Sequence, residues 1–466
     1  VIANNSDNDI DIIIGVASGY VGNTITYGSN GYPKGTKITS TYNSSDITNA
    51  CEGGGSATDE CTQKYDNGYL ITSCITEKVK LNEDPTGANR PVLAEGMIPI
   101  TYDGTNWVKA DEYGAYNNWY DYGNQKWANA VMVTSAKRDT YMNANAGTVV
   151  PEADILAYFV WIPRYKYKLF NATYASGKAS QLIEVTFENG TSTTGTVTCT
   201  YVPNGAETCQ NKSNGNWYTH PAFTMINASG NKTEYKGIWV GKFETTGDTT
   251  TPTIKPGISS IRNITVGRMY NTGKLFRSTN YLTTTGANES DSHITKNIEW
   301  GAVAYLKQSI YGLGITDITN NSSSTHSSSS YYTGGGSGTS YKTNTGQSTT
   351  GNITGVYDMT GGAFEYVMGN YNKRAGSSAL TVSTVPNEHI DIYSGTSVAA
   401  SHLGDATGET AGWYGDYAGF VNSSNPWFIR GGVYDLGDAG VFLFTRNTGE
   451  DFLYNSGFRV VLSITK

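Results

Sequence analysis

A chain of 466 residues has room for about three domains of ordinary size, which excludes a small disulfide-stapled fold. Charged residues make up only 15%, while glycine and small polar residues crowd the chain and 34 tyrosines dominate the aromatics, a β- and loop-rich composition. A formal net charge of -8 without any long run of Lys or Arg leaves no field to gather phosphates, which excludes a nucleic-acid binder.

From Val1 to about Glu95 the pattern predicts a β-rich N-terminal domain, residues 1–95, with short β-branched runs such as Ile10 to Ile14 and Lys37 to Ser40 between Gly and Asn turns. No stretch reaches the roughly 20 apolar residues of a membrane helix; the best candidate, Ile10 to Ala17, is interrupted by Asp11 and suits one buried strand. The start at Val1, with neither Met nor a signal peptide, reads as a processed product, so export is expected. Cys51, Cys61 and Cys74 lie in a Gly/Ser-rich stretch, where Cys51 with Cys61 is the local pairing.

Residues 96–150 are expected to form an aromatic-rich connector of two β-hairpins, with Trp107, Trp119, Tyr120 and Trp127 set among turn signals at Asp103-Gly104 and Tyr122-Gly123. Asp139 to Glu152 carries no strong pattern, which places a boundary near Pro151. Within 151–466, Ala157 to Tyr167 and Leu182 to Phe187 read as strands. Cys199 and Cys209 flank the turn Pro203-Asn204-Gly205, which could bring two strands within disulfide distance; one of the five cysteines then stays free or cross-links subunits. Arg262 to Tyr270 suggests a helix. Ile298 to Tyr311 does so more strongly, with apolar side chains at three- and four-residue spacings and Thr295 or Asn297 as cap. The Ser/Thr/Gly/Asn tract from Thr319 to Asn352 is expected as a long polar loop. No internal repeat is visible.

Chemical motifs are scarce. His220, His293, His326, His389 and His402 are scattered, and none has a second His or Cys at the three- or four-residue spacing of one helical face, which argues against a zinc or iron centre. Asp7, Asp9 and Asp11 open like a calcium loop, yet its turn glycine would fall on Ile12 and its last acid on Ser18. No nucleophile elbow, phosphate loop or dinucleotide fingerprint stands in context. Trp161, Trp239, Trp300 and Trp427 read as core, and Arg430, followed by two glycines where a strand passes close to another backbone, as the holder of a carboxylate such as Asp358 or Glu365.

Gly355 to Val367, GVYDMTGGAFEYV, resembles the signature of formylglycine-generating-enzyme-like domains, with Gly362 in place of the usual Asn and Tyr366 in place of Trp. GIWVGKFETT at Gly237 to Thr246, Thr295 to Trp300, WFIRGGVY at Trp427 to Tyr434 and the closing Gly457 to Val460 follow in the family's order. The resemblance implies an α+β, loop-rich fold for 151–466, a variant of the C-type lectin fold. It also implies a structural calcium held through Glu365 and the carbonyls of Gly361 and Ala363, whereas the acidic motif of sugar-binding lectins is missing at Val385-Pro386-Asn387. Catalytic members carry two copper-binding cysteines after Arg-Gly-Gly. The matching positions here are Leu436 and Val441, and an aliphatic side chain cannot replace a thiolate, so a non-catalytic member is expected.

Within 427–459, the stretch Val433 to Tyr454 resembles the variable region of diversity-generating-retroelement target proteins, which display changeable side chains on this lectin-like frame. It lacks Lys, Gln, Trp and Met, as adenine randomisation of Asn codons implies; Glu450 departs from that pattern. The expected ligand-binding residues are Val433, Tyr434, Asp435, Leu436, Asp438, Leu443, Thr445, Arg446, Asp451, Phe452, Leu453 and Tyr454, joined by Trp413 and Tyr414, a set rich in rigid aromatics and directional polar groups. The expected function is non-enzymatic binding of a protein or glycan on another cell surface, by an extracellular chain on a cell surface, appendage or virion. The alternative is a structural subunit of a filament or virion, self-assembling through N-terminal strand exchange.

Overall fold

Strand Ile155–Pro163 is buried along almost its whole length, as an apolar run covered on both faces should be. It sits at the centre of a seven-stranded sheet whose spatial order is Ser290–Ile294, Val460–Ile464, Gly237–Gly241, Ile155–Pro163, Asn129–Val133, Met97–Tyr102 and Trp107–Lys109, with every pair antiparallel. The register sets Trp161 directly against Trp239. Their indole N–H groups donate to the carbonyls of Asn89 (3.0 Å) and Val92 (2.6 Å), which pins the segment from Asp84 onto the sheet. The computed structural model describes residues 84–169, 180–195, 216–321, 331–434, 439–450 and 455–465, together with the backbone of four N-terminal strands.

The chain is of mixed α+β class and divides into two compact units, Val1–Glu83 with Tyr113–Ala115, and Asp84–Glu112 with Tyr116–Lys466. In the first, Ile2–Ser6 pairs with Asp9–Ile13 and Cys61–Asp66 with Tyr69–Cys74, all antiparallel. The register places Cys61 opposite Cys74; Cys51, Cys199, Cys209 and the run at 37–40 lie outside the described residues. The boundaries expected at 95 and 150 differ from those observed. Three strands between Met97 and Val133 are members of the main sheet, and the connector apart from Tyr113–Ala115 therefore belongs to the larger unit.

The second sheet has the order Asp391–Tyr393, Phe364–Tyr371, Trp427–Arg430, Phe444–Asn447, and Ser456–Phe458 also pairs with Phe364–Tyr371. It is mixed, parallel at Asp391–Tyr393 and Ser456–Phe458 and antiparallel elsewhere. Arg459 is the single residue between Ser456–Phe458 in this sheet and Val460–Ile464 in the main one. Trp300, Trp427, Trp161 and Trp239 are all buried in the core, as their patterning predicts.

The strong helical spacing is realised as Asn297–Lys307, capped at Lys296, whose backbone N–H donates to the Glu299 carboxylate (2.9 Å). The weaker one appears as Val266–Gly273, capped by the Thr265 hydroxyl. Two helices went unanticipated, Ser135–Met142 and Thr284–Glu289. The polar tract differs more: residues 331–352 pack inward around Tyr341, whose ring meets Phe243 at 5.5 Å and Tyr357 at 6.1 Å, because their Ser, Thr and Asn groups find hydrogen-bond partners. Among the described residues no helix is long and apolar enough to cross a membrane.

Candidate functional site

The frame of the C-terminal segment begins at the signature turn. Asp358 takes a left-handed backbone (φ 60°), stabilised because its carboxylate accepts from Asn321 Nδ2 (2.7 Å), the Gly334 N–H (2.6 Å) and the Thr333 hydroxyl. Gly361 and Gly362 follow at φ 86° and 66°. A Cβ on Gly362 would run into the buried Glu244 carboxylate, which accepts from the Ala363 N–H (2.9 Å) and the Ser260 hydroxyl. Position 362 therefore has no room for a side chain such as Asn while Glu244 keeps this place. Burial, with Asp358 and Glu365 nearby, pushes the Glu244 carboxyl well above its ordinary range.

Glu365 has a different partner from either expectation. Its Oε1 accepts from Arg459 Nη2 (2.5 Å) and its Oε2 from Arg459 Nε (3.1 Å), in a buried bidentate pair. With both oxygens committed to a guanidinium, Glu365 does not fit a calcium ligand. Arg430 holds neither Asp358 nor Glu365. Its Nη1 donates to the Asp405 carbonyl (3.1 Å) and Asn297 Oδ1 (3.3 Å), and its Nη2 to the Ala406 carbonyl (2.8 Å). The correction has a simple cause: strand pairing sets Arg430 opposite Glu365 on the backbone, but the guanidinium reaches the 405–406 loop and lies 5.5 Å from the Trp300 ring. Burial lowers its pKa to about 10, with Asp405 opposing.

The two glycines after Arg430 act as expected. Gly431 has φ 68° beside Trp300, and a Cβ on Gly432 would overlap the Ala439 carbonyl. Val433 is buried against Tyr331 and Ala363. Tyr434 is half-buried: its N–H donates to the Gly362 carbonyl (3.0 Å), and its ring stands edge-on to Tyr331 at 4.6 Å. The Arg262 guanidinium lies 3.9 Å over the Tyr331 ring.

Beyond the loop, Asp416 acts as a clamp. Its oxygens accept from the Gly440 N–H (2.7 Å) and the Phe442 N–H (3.0 Å), and the Trp300 indole donates to the Val441 carbonyl (2.9 Å). Burial, with Asp317 nearby, raises the Asp416 carboxyl to about 7 against those N–H bonds. Trp413 packs edge-on to Phe442 at 5.1 Å and Tyr414 stacks on it at 6.0 Å. Thr445 and Arg446 are half-buried, and Arg446 Nη1 donates to the Phe420 carbonyl (2.9 Å).

Of the expected ligand-binding residues, Val433, Leu443 and Trp413 therefore sit in the interior, where packing occupies them. Tyr434, Thr445, Arg446 and Tyr414 reach the surface in part, and Tyr417 is largely exposed. Asp435, Leu436, Asp438, Asp451, Phe452, Leu453 and Tyr454 lie outside the described residues. The fold also gathers a group that sequence spacing separates: Asp291 and His293 on one strand meet His389 from a distant turn. The sequence reading missed this group; the Asp-x-His spacing, which puts both side chains on one face of a strand, is the local signal that could have found it. No protein-family model and no curated protein matches this chain.

Proposed function

We propose that this chain is a non-enzymatic, extracellular ligand-binding protein that presents a variable face on a formylglycine-generating-enzyme-like, C-type-lectin-like scaffold. The observation that carries the reading is the clamping of residues 431–458 at both ends by the buried guanidiniums of Arg430 and Arg459, while Tyr434, Thr445 and Arg446 between them reach the surface. Such a segment can change its outer side chains without loosening the frame, and Tyr434, held by Tyr331, offers rigid aromatic area at low entropic cost. The partner is a protein or glycan on another cell surface. Leu436 and Val441 leave no thiolate for copper, and catalysis is absent from this proposal.

A structural role in a filament or virion is the second reading. The pairing of Ile2–Ser6 with Asp9–Ile13 in a two-stranded sheet supports it, since each strand of such a sheet has an outer edge for strand addition.

The test is binding of the full chain to glycan and cell-surface-protein arrays, beside Tyr434→Ala. Loss of about thirtyfold in affinity with unchanged thermal stability is expected of a central aromatic anchor. Equal binding by the variant, or stoichiometric copper with oxygen consumption, would overturn the proposal.

A further inference from the structure

Strand Ser290–Ile294 forms one edge of the main sheet, and its alternation puts Asp291 and His293 on the same face. The turn Asn387–His389 leads into Asp391–Tyr393, at one edge of the second sheet. Although 98 residues separate Asp291 from His389, their side chains meet. Asp291 Oδ2 lies 2.8 Å from His293 Nδ1 and 2.8 Å from His389 Nε2, and the two imidazoles stack at 4.6 Å. These three ligand atoms all lie within 4.8 Å of one another.

The outward nitrogens of both rings are also committed. His293 Nε2 lies 3.0 Å from Glu299 Oε1, and His389 Nδ1 lies 3.0 Å from the Tyr270 hydroxyl. Glu299 and Tyr270 thus hold the outer nitrogens, while both inner nitrogens face Asp291 Oδ2; a dication that displaces the inner protons takes up the two lone pairs they leave. This is the arrangement by which metal-binding histidines are fixed, ring by ring, from behind. The other Asp291 oxygen lies 3.5 Å from Arg277, leaving Oδ2 to the centre. The Asp291 side chain is 21% exposed while His293 is fully buried, so a route in exists on the carboxylate side.

We propose that Asp291, His293 and His389 form a binding site for a first-row transition dication of the zinc class. Two imidazoles and one carboxylate suit zinc, with a water completing four-coordination at the exposed side. The dication replaces the two hydrogen bonds to Asp291 Oδ2; any protons held between these groups leave to solvent, and no electron transfer is involved. Its effect is mechanical: it joins the edge strand of one sheet to the turn that enters the other. The proposal is independent of the binding function proposed above.

The test uses the untagged full chain, stripped with chelator and titrated with Zn²⁺ and then Co²⁺. One dication per chain is expected, with a rise in melting temperature and weak visible cobalt bands lacking intense near-ultraviolet thiolate absorption. His389→Gln, on the turn that enters the second sheet, should abolish stoichiometric binding. Tyr270→Phe, which removes only the group behind His389, should weaken binding roughly tenfold with an unchanged circular-dichroism spectrum. No zinc-dependent stabilisation up to millimolar metal, unaltered stoichiometry in both His389→Gln and Asp291→Asn, or a thiolate-type cobalt spectrum would each overturn it.

Discussion

Arg459 and Glu365 form a buried bidentate pair, with nitrogen–oxygen distances of 2.5 and 3.1 Å, that joins the last strand's turn to the centre of the second sheet. The same guanidinium donates to the Gly241 carbonyl in the main sheet (2.8 Å) and to the Tyr357 carbonyl in the signature segment (2.8 Å). Four acceptors from three segments meet on one side chain, which explains why the chain can cross between sheets at a single residue.

Breaking that pair from one side leaves a buried charge without its counter-ion. Glu365→Gln should therefore destabilise the folded chain by about 3–5 kcal/mol, read as a lower urea midpoint. The paired replacement Glu365→Leu with Arg459→Met should recover only part of this, since the carbonyls of Gly241 and Tyr357 still lose their donor.

Gly432→Ala puts a Cβ onto the Ala439 carbonyl, a backbone atom that cannot rotate away. A loss of about 1–3 kcal/mol is expected. Gly104→Ala provides the comparison, since Gly104 has a positive φ (101°) that Gly432 lacks but open space around it, and should cost only backbone strain, about 1 kcal/mol. Thermal melts of the two variants check the order.

Asp416 makes stability depend on pH with a definite sign. Its folded pKa of about 7 lies above the ordinary 3.8, so the folded chain binds more protons than the unfolded one between these values. The stability it contributes is fully present below pH 4 and is lost as pH rises through about 7. Asp416→Asn removes that dependence and leaves the Gly440 or Phe442 N–H without an acceptor. Compared with wild type, the variant should lose less stability between pH 5 and pH 8 while being less stable at pH 5 by about 1–3 kcal/mol. Denaturation curves at the two pH values give both quantities.

What the sequence made legible was local. Helix Asn297–Lys307 announces itself because its apolar spacing lies within one element, and the tight passage at Gly431-Gly432 because two glycines follow an arginine. The partner of Arg430 could not be read in the same way. Charge complementarity points to a carboxylate, whereas the guanidinium closes on carbonyls of the 405–406 loop, and carbonyls leave no mark in sequence. The loop expected from Thr319 to Asn352 is a loop in its described residues, but hydropathy gave no sign that Tyr341 is buried there, with its neighbours tied in by hydrogen bonds such as Asn344 Nδ2 to the Gly335 carbonyl. The residues expected to bind a ligand divide for a similar reason: Val433 and Leu443 share the segment of Tyr434 and Arg446, but only the backbone path decides which of them face inward.

The central claim is that a clamped frame carries a changeable face, and deep sequencing of the region encoding Trp427 to Arg459 across one natural population, with a search for a linked template copy, tests it most directly. The account predicts substitutions concentrated at Tyr434, Thr445, Arg446 and the stretches 435–438 and 451–454, with Arg430, Gly431, Gly432, Val433, Leu443, Gly457 and Arg459 constant. An invariant window, or variation spread evenly over buried and exposed positions, would contradict it.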